Sequence, residues 1–189
     1  MKIGPDVKAT SAISGSNAET IVVRGRDLVG ELIGRISSTD HVWLLITGSL
    51  PSGAQRRMLD ATLVAIAEHG LVPSVVAARM TLAASPEAMQ GAVAAGLLGC
   101  GSVILGSSQA AGEFLNGIVI GSPTSDFETA ARKAVSGCRD AKRAIPGYGH
   151  PLHKDGDPRA KRLFELARDL DVFGAHCEAA HTVERHRRF

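Results

Sequence analysis

The sequence predicts a mainly α-helical protein. Apolar residues recur at helical spacing in segment after segment, and Ser, Asp and Pro residues stand where helices would begin. Aromatic residues make up only 4% of the chain, whereas Ala and Gly are frequent, as in helices that pack closely through small side chains. The 189 residues are enough for one substantial core or two small domains.

The N-terminal segment differs from this helical pattern. Residues 8–28 are rich in Ser, Thr and Gly around the β-branched stretch 20–23, which predicts an extended arm or a short hairpin. The first helix is predicted over about 27–36, because apolar residues recur there at helical spacing and Asp27 is favoured near a helix N-terminus.

Start and stop signals predict the helices in the middle of the chain. Thr39 and Asp40 can cap the segment HVWLLIT, which Gly48 then closes, and an amphipathic helix follows over 52–67. The segment EHGLVPS is predicted to be a loop after that helix.

Two short helices are predicted to meet at the next Ser-Pro pair. Pro73 begins a helix over 74–84, and Ser85 is predicted to be the N-cap of a second helix over 85–99.

Two further helices are predicted in the last third of the chain. A capped helix with an acidic first turn and a basic last turn is predicted over 122–143. A loop follows over 145–157, and Asp157 begins a helix with an apolar face over 159–170. Residues 181–189 are interpreted as a frayed basic tail.

Composition and charge exclude several classes of partner. The formal net charge is +2 and the charges are mixed along the chain, so no basic stripe predicts a nucleic-acid partner. No apolar run approaches the roughly 18 residues of a membrane span. The three cysteines, Cys100, Cys138 and Cys177, form no CxxC pair, which indicates free thiols. We therefore expect a soluble, cytoplasmic protein that binds neither nucleic acid nor membrane.

The segment PGYGHPLHKDGDPR carries the strongest local signal for a ligand. Gly147 and Gly149 remove side chains around a tyrosine, so that backbone N–H groups can approach a ligand closely. His150 follows directly, and Arg159 lies in the first turn of a helix, where it can hold a carboxylate. The segment predicts a ligand-binding loop, and the alternative is a proline-rich interdomain turn with solvated charges.

His69 is a second candidate for ligand binding. It lies in a loop bounded by Gly70 and Pro73, where a neutral imidazole can donate to a carboxylate or ketone oxygen. The alternative is a cation that compensates the dipole at a helix C-terminus.

A zinc site is a competing interpretation of the histidines. An HxxH pair with a distant His-Cys pair does not match a standard zinc spacing, so we expect no metal. The stretch GLLGCGSVILGSS also lacks the ending of a phosphate loop. The candidate zinc ligands are His150, His153, His176, Cys177 and His181.

Taken together, the motifs resemble the citrate synthase superfamily. PGYGHPLHKDGDPRAKRLFELA resembles the family signature of glycine, aromatic residue, glycine and histidine, followed by a DPR that opens a helix. LLITGSLPSGAQ resembles the family's TGELP-type turn, and EHGLVPSVVAARM resembles the loop that carries its first oxaloacetate-binding histidine. Within the superfamily the chain looks most like short citryl-CoA lyases and the corresponding module of ATP-citrate lyase.

The resemblance implies roles for individual residues. His150 would contact the oxygen that is the hydroxyl of citryl-CoA and the carbonyl of oxaloacetate, and His69 would donate to the substrate. Arg159 would pair with an oxaloacetate carboxylate. The reaction implied is retro-aldol cleavage of citryl-CoA to acetyl-CoA and oxaloacetate, with no cofactor beyond the coenzyme A thioester that is the substrate.

The resemblance also implies a coenzyme A site. Lys154 occupies the position of a basic CoA-binding residue, and the backbone around Gly147, Tyr148 and Gly149 would line the adenine.

Two departures from the synthase pattern shape this prediction. Leu105 stands where synthases place an enol-stabilising histidine, which favours cleavage of citryl-CoA over synthesis. The family's catalytic aspartate, last substrate arginines and closing helices belong after residue 189, so the chain looks truncated. The alternatives are a citrate or 2-methylcitrate synthase and, in another class, an inactive dimerisation or CoA-binding module.

The implied architecture is a citrate synthase-like fold. We expect a large helical domain over 1–115, with an extended N-terminal arm, and an incomplete small domain over 116–189. The segments 74–84 and 85–99 are the expected interface helices of a homodimer.

Overall fold

The computed structural model describes residues 11–68, 70–101, 106–122, 126–149, 153 and 156–187. Helices dominate this part of the chain, which confirms the prediction of a mainly α fold. Two compact units are present, Met1–Leu63 and Val64–Phe189. In chain order the α-helices are α1 (Ser38–Thr47), α2 (Gly53–Ile66), α3 (Pro73–Ala84), α4 (Met89–Leu98), α5 (Gly106–Ile120), α6 (Phe127–Asp140), α7 (Pro158–Asp169) and α8 (Ala175–His186).

The first unit opens with a small antiparallel sheet. Its strands β1 (Ser14–Ser16), β2 (Ile21–Val23) and β3 (Arg26–Asp27) lie in chain order, and Val23 pairs with Arg26 across the second turn. The expected hairpin is therefore confirmed, with a third strand added to it.

The helix expected over about 27–36 is much shorter than predicted. Leu28–Leu32 forms a single π-helical turn, in which Asp27 accepts a hydrogen bond from the backbone N–H of Val29 at 3.0 Å. Ile33 is already extended, and Gly34 follows with a φ of +74°. That positive φ is not helical, so the helix does not resume after Ile33.

The residue that caps the start of α1 differs from the two that were predicted. Ser37, rather than Thr39 or Asp40, is the N-cap, and the Asp40 carboxylate accepts a hydrogen bond from the Ser37 backbone N–H, as in a capping box. That backbone hydrogen bond lowers the pKa of the buried Asp40 carboxyl. The carboxylate also binds Nε of Arg56, at 2.8 Å, which joins α2 to α1. Gly48 closes α1 in a left-handed conformation, as predicted.

The core of the first unit lies between the sheet and α1. Val23, Leu32 and Leu44 are buried there together. Arg24 adds a polar link, because its Nε and Nη2 donate to the carbonyl oxygen of Leu45 at 3.0 and 2.6 Å.

In the second unit, α3 and α4 form a closely packed helical pair. A Cβ atom at Gly99 would lie 3.2 Å from the Cα of Ser74, so the absence of a side chain at Gly99 allows this close approach to Ser74. Ser85 was predicted to be the N-cap of the second of these helices, but it is the residue at which α3 ends. Its hydroxyl donates to Glu87 at 2.6 Å, and α4 begins only at Met89.

The main core of the second unit is formed by α5, α6 and α8. The helices predicted over 122–143 and 159–170 are observed as α6 and α7, and each follows an Asp N-cap. Helix α6 is shorter than predicted, because it begins at Phe127 and ends at Asp140. The interpretation of 181–189 as a frayed tail is wrong for its first part, because α8 continues to His186 and Val183 is fully buried. The buried core residues are Ile118, Phe127, Ala131, Val135, Ala179 and Val183.

The domain boundary near residue 115 stays a prediction. Helix α5 runs without a break through that position, and Phe114, Leu115 and Ile118 all pack in the same core. The proposed domains 1–115 and 116–189 therefore divide a continuous helix.

Among the described residues, no helix has both the length and the apolar character needed to cross a membrane.

The core position of Val183 gives a test of the fold. Val183→Ala leaves a cavity among α5, α6 and α8, and we expect the free energy of unfolding to fall by about 1 to 3 kcal/mol in urea denaturation. Val64→Ala makes the same change at a side chain that is 78% exposed and is the control. Equal effects of the two substitutions would contradict the assigned core.

Candidate active site

The predicted site residues divide between described and undescribed parts of the chain. Gly147, Tyr148 and Gly149 lie in the loop between α6 and α7, and Arg159 lies in the first turn of α7. The other predicted residues, His69, His150 and Lys154, lie outside the described residues, as does Leu105.

Glycine conformations set the path of the loop. Gly147, Gly149 and Gly156 have φ angles of +79°, +104° and +124°, which are strained for residues with a side chain. A Cβ atom at Gly147 would also lie 2.7 Å from the Cβ of Ala111, so the loop backbone lies directly against α5. The close approach seen here is that of Gly147 to a helix, and the role of Gly147 and Gly149 in binding CoA stays a prediction.

Tyr148 anchors the loop to α8. Its hydroxyl donates to the carbonyl oxygen of Ala180 at 2.7 Å, and its half-buried ring packs against the core of the second unit. Burial raises the pKa of the Tyr148 phenol, which favours the protonated hydroxyl that donates to Ala180. The guanidinium of Arg187 lies 6.0 Å from the ring centroid. Contact between Tyr148 and the adenine of CoA stays a prediction.

Arg159 is held by an acidic neighbour that caps the same helix. Asp157 accepts a hydrogen bond from the backbone N–H of Arg159 at 2.9 Å and is the N-cap of α7. The same carboxylate binds Nε and Nη2 of Arg159, at 3.0 and 2.6 Å. These hydrogen bonds lower the pKa of Asp157 to about 2, so the carboxylate keeps its charge in acid that would protonate an ordinary aspartate.

This ion pair was not predicted from the sequence, although both of its residues were identified there. Asp157 was predicted only as a helix start, and Arg159 only as a ligand for a substrate carboxylate. The available signal is the spacing D-P-R, because an Asp at the N-cap lies two residues before an Arg whose side chain can fold back on it.

Two of the candidate zinc ligands, His176 and His181, have partners other than a metal. Nε2 of His176 lies 3.2 Å from Oδ1 of Asn116, and the ring of His181 packs against Phe164 and Phe173 with centroid distances of 5.2 and 5.9 Å. Within the described part of the chain, no group of three or more His, Cys, Asp or Glu residues is arranged to hold a metal ion.

A cleft adjoins the beginning of the loop. It runs between α5 and α6, has a volume of about 1100 Å³, and is lined at the loop end by Arg143, Ala144 and Pro146. Its walls include the apolar residues Ile118 and Ala134. A concave surface of this size beside a glycine-rich loop is typical of a small-molecule site.

Comparison with known proteins identifies the family. A sequence model described as "Citrate synthase, C-terminal domain" matches residues 51–188. The match covers well over half of the chain. The chain belongs to the citrate synthase family. The resemblance seen in the sequence motifs is thereby confirmed.

Members of this family with known structure or function are similar over most of the chain. Citryl-CoA lyase from Hydrogenobacter thermophilus is 33% identical and superposes with a TM-score of 0.84, covering 94% of this chain and 67% of that protein. A citrate/2-methylcitrate synthase from Bacillus subtilis (strain 168) is 30% identical over 151 residues. That alignment covers 76% of this chain but only 39% of the synthase.

A more distant structure shares the fold. ATP citrate lyase from Methanothrix soehngenii, solved in complex with citrate and coenzyme A, is 18% identical to this chain. The two superpose with a TM-score of 0.73, and the superposition covers 98% of this chain and 30% of that protein. The citrate synthase-like helical architecture predicted from the sequence is therefore confirmed.

The contact between Gly147 and α5 gives a test of the loop. Gly147→Ala adds a methyl group at a positive φ and against Ala111, and we expect the free energy of unfolding to fall by about 1 to 3 kcal/mol. Gly137→Ala is the control, because that glycine lies inside α6 and the added carbon would meet no atom within 4 Å beyond the nearby backbone of its own helix. The control should stabilise by up to ~1 kcal/mol.

Urea denaturation gives the free energy of unfolding of both glycine variants. Adding Ala111→Gly to Gly147→Ala should recover part of the lost free energy of unfolding. A Gly147→Ala protein as stable as the wild type would contradict the close contact.

Proposed function

We propose that this chain is a citryl-CoA lyase-type protein that cleaves citryl-CoA to acetyl-CoA and oxaloacetate. The observation that carries the proposal is the similarity to citryl-CoA lyase from Hydrogenobacter thermophilus, which extends over 94% of the chain at 33% identity. Leu105 supports the same direction of reaction, because the resemblance places an enol-stabilising histidine there in synthases.

The proposed reaction is a retro-aldol cleavage. His150 takes the proton of the citryl hydroxyl, the oxygen forms the carbonyl of oxaloacetate, and the electron pair of the breaking carbon–carbon bond moves to the acetyl carbon. The resulting acetyl-CoA enolate is protonated on carbon by an acid. His69 donates a hydrogen bond to the substrate, and Arg159 binds a carboxylate of the oxaloacetate part.

Described residues that precede and follow His150 in the sequence are held by α8 and α7, which supports this role. On one side, Gly149 precedes His150 directly and Tyr148 is tied to α8. On the other side, Asp157 is fixed as the N-cap of α7. A catalytic group gains from such anchoring, since errors in position of about 1 Å cost much of the rate.

Coenzyme A is the proposed second binding partner. Lys154 would bind a phosphate group, and the backbone around Gly147, Tyr148 and Gly149 would line the adenine. The exposed positions of Gly147 and Gly149 support a ligand contact with the loop backbone.

Synthesis of citrate or 2-methylcitrate is the second candidate function. The 30% identity to a citrate/2-methylcitrate synthase from Bacillus subtilis (strain 168) favours it. Release of free CoA from oxaloacetate with acetyl-CoA or propionyl-CoA would distinguish this activity from the lyase. Binding of CoA without any cleavage would instead support a dimerisation or CoA-binding module.

We further propose that the protein is a homodimer in a reducing, cytoplasmic environment. Large apolar side chains on α3 and α4 are exposed, among them Met80 at 69% and Leu97 at 66%, and burying them in a second copy would be favourable. The thiols of Cys100, Cys138 and Cys177 are all free, which supports a reducing compartment.

The lyase activity is tested with the purified chain and synthetic citryl-CoA in a coupled assay for oxaloacetate. We expect turnover above the rate of spontaneous thioester breakdown, and His150→Ala should lower it by about 10² to 10⁴ because a positioned base is lost. His176→Ala removes an exposed histidine of α8 and should leave the rate unchanged. No turnover by the wild type would contradict the enzyme assignment for this chain.

The dimer is tested by a charge at its proposed interface. Met80→Glu should convert the dimer to a monomer in sedimentation equilibrium, because an unpaired carboxylate would be buried between the copies. Ile120→Glu is the control, since Ile120 is similarly exposed at 73% but lies on α5. A dimer that survives Met80→Glu would place the interface elsewhere.

A further inference from the structure

The ion pair at the start of α7 uses only part of the Arg159 guanidinium. Nε and Nη2 donate to the two carboxylate oxygens of Asp157, at 3.0 and 2.6 Å. Nη1 donates no hydrogen bond to any residue that the structure describes. A guanidinium has five N–H donors in a rigid plane, so the end formed by Nη1 and Nη2 can still receive a second carboxylate.

Asp157 has little freedom to move away from this position. One of its oxygens also accepts the Arg159 backbone N–H at 2.9 Å, and Pro158 between the two residues fixes the backbone at the first helical position. The Asp157 side chain is 24% exposed and the Arg159 side chain 36%, so the pair is partly shielded from solvent.

We infer that Asp157 is a positioning residue that holds one edge of the Arg159 guanidinium, so that its Nη1 end is presented to a substrate carboxylate. The inference rests on the proposed function, in which Arg159 binds a carboxylate of oxaloacetate. A long arginine side chain loses rotamer freedom when it binds a ligand, and a side chain that is already held loses less.

Two effects of Asp157 on a bound carboxylate oppose one another. Its negative charge weakens the attraction between Arg159 and a second anion, whereas its hydrogen bonds orient the guanidinium. Orientation prevails in this geometry, because the bonds to Asp157 leave the Nη1 end open and the capping role keeps the carboxylate in place.

The test measures oxaloacetate binding to the full chain by isothermal titration calorimetry. Asp157→Asn keeps an efficient helix cap but loses the charged carboxylate that binds Nε and Nη2 of Arg159. We expect it to weaken oxaloacetate binding about 3- to 10-fold, the effect of immobilising one flexible side chain on binding. Arg159→Ala removes the proposed carboxylate ligand itself and should weaken binding more than Asp157→Asn does.

The matched control lies on the same helix. Glu165→Gln breaks the ion pair between Arg162 and Glu165, whose atoms Nη1 and Oε2 are 3.3 Å apart, without touching the loop. Its affinity for oxaloacetate should equal that of the wild type.

A spectroscopic measurement without substrate separates positioning from helix capping alone. In nuclear magnetic resonance spectra, the Nε–Hε signal of Arg159, identified by its loss in Arg159→Ala, should exchange slowly with water in the wild type. It should exchange rapidly in Asp157→Asn, although that variant still caps α7.

The outcomes distinguish this inference from the proposed function. Asp157→Asn binding oxaloacetate as tightly as the wild type, or an unchanged Hε signal, would overturn the positioning role of Asp157. Wild-type binding by Arg159→Ala, or no binding by the wild type, would overturn the substrate role of Arg159 instead. In that second case the Hε signal still decides whether Asp157 holds the guanidinium.

Discussion

The close approach of Gly147 to α5 determines the course of the segment that joins α6 to α7. The added Cβ of any other residue would lie 2.7 Å from Ala111, at a φ that such residues avoid. With the backbone against α5, the next side chain, Tyr148, reaches Ala180 in α8. The loop is thus attached to two helices of the core before it reaches His150, and Asp157 attaches its far end to α7.

Local signals predicted the fold well where capping and apolar periodicity agreed. The N-cap residues of α6 and α7, Asp126 and Asp157, each accept a hydrogen bond from the backbone N–H two residues later. This capping is local, so the sequence alone locates both helices. The helix expected over 27–36 did not resume because the positive φ of Gly34 is not helical, and Ser85 ended one helix instead of starting the next. The burial of Val183 comes from packing of α8 on α6, which a polar-looking terminal sequence does not reveal.

The candidate site was predictable to the extent that its chemistry lies within one motif. The glycines and Arg159 were identified from spacing and from the family resemblance. The bond from Tyr148 to Ala180 joins residues 32 positions apart, and the contact of Gly147 with Ala111 crosses from the loop to α5. Such contacts depend on the tertiary fold, so a local pattern cannot predict them. The ion pair between Asp157 and Arg159 is local, but it was not predicted because Asp157 was interpreted only as a helix cap.

The ultraviolet absorbance of Tyr148 can also report whether the loop is attached to α8. Tyr148 is the chain's single tyrosine, so its ultraviolet absorbance comes from one known position. While its hydroxyl is bonded to Ala180, burial raises the pKa of the phenol and delays its conversion to tyrosinate. Formation of tyrosinate in alkaline solution would therefore follow release of the loop from α8, and ligands that tighten the loop would shift that absorbance change to higher pH.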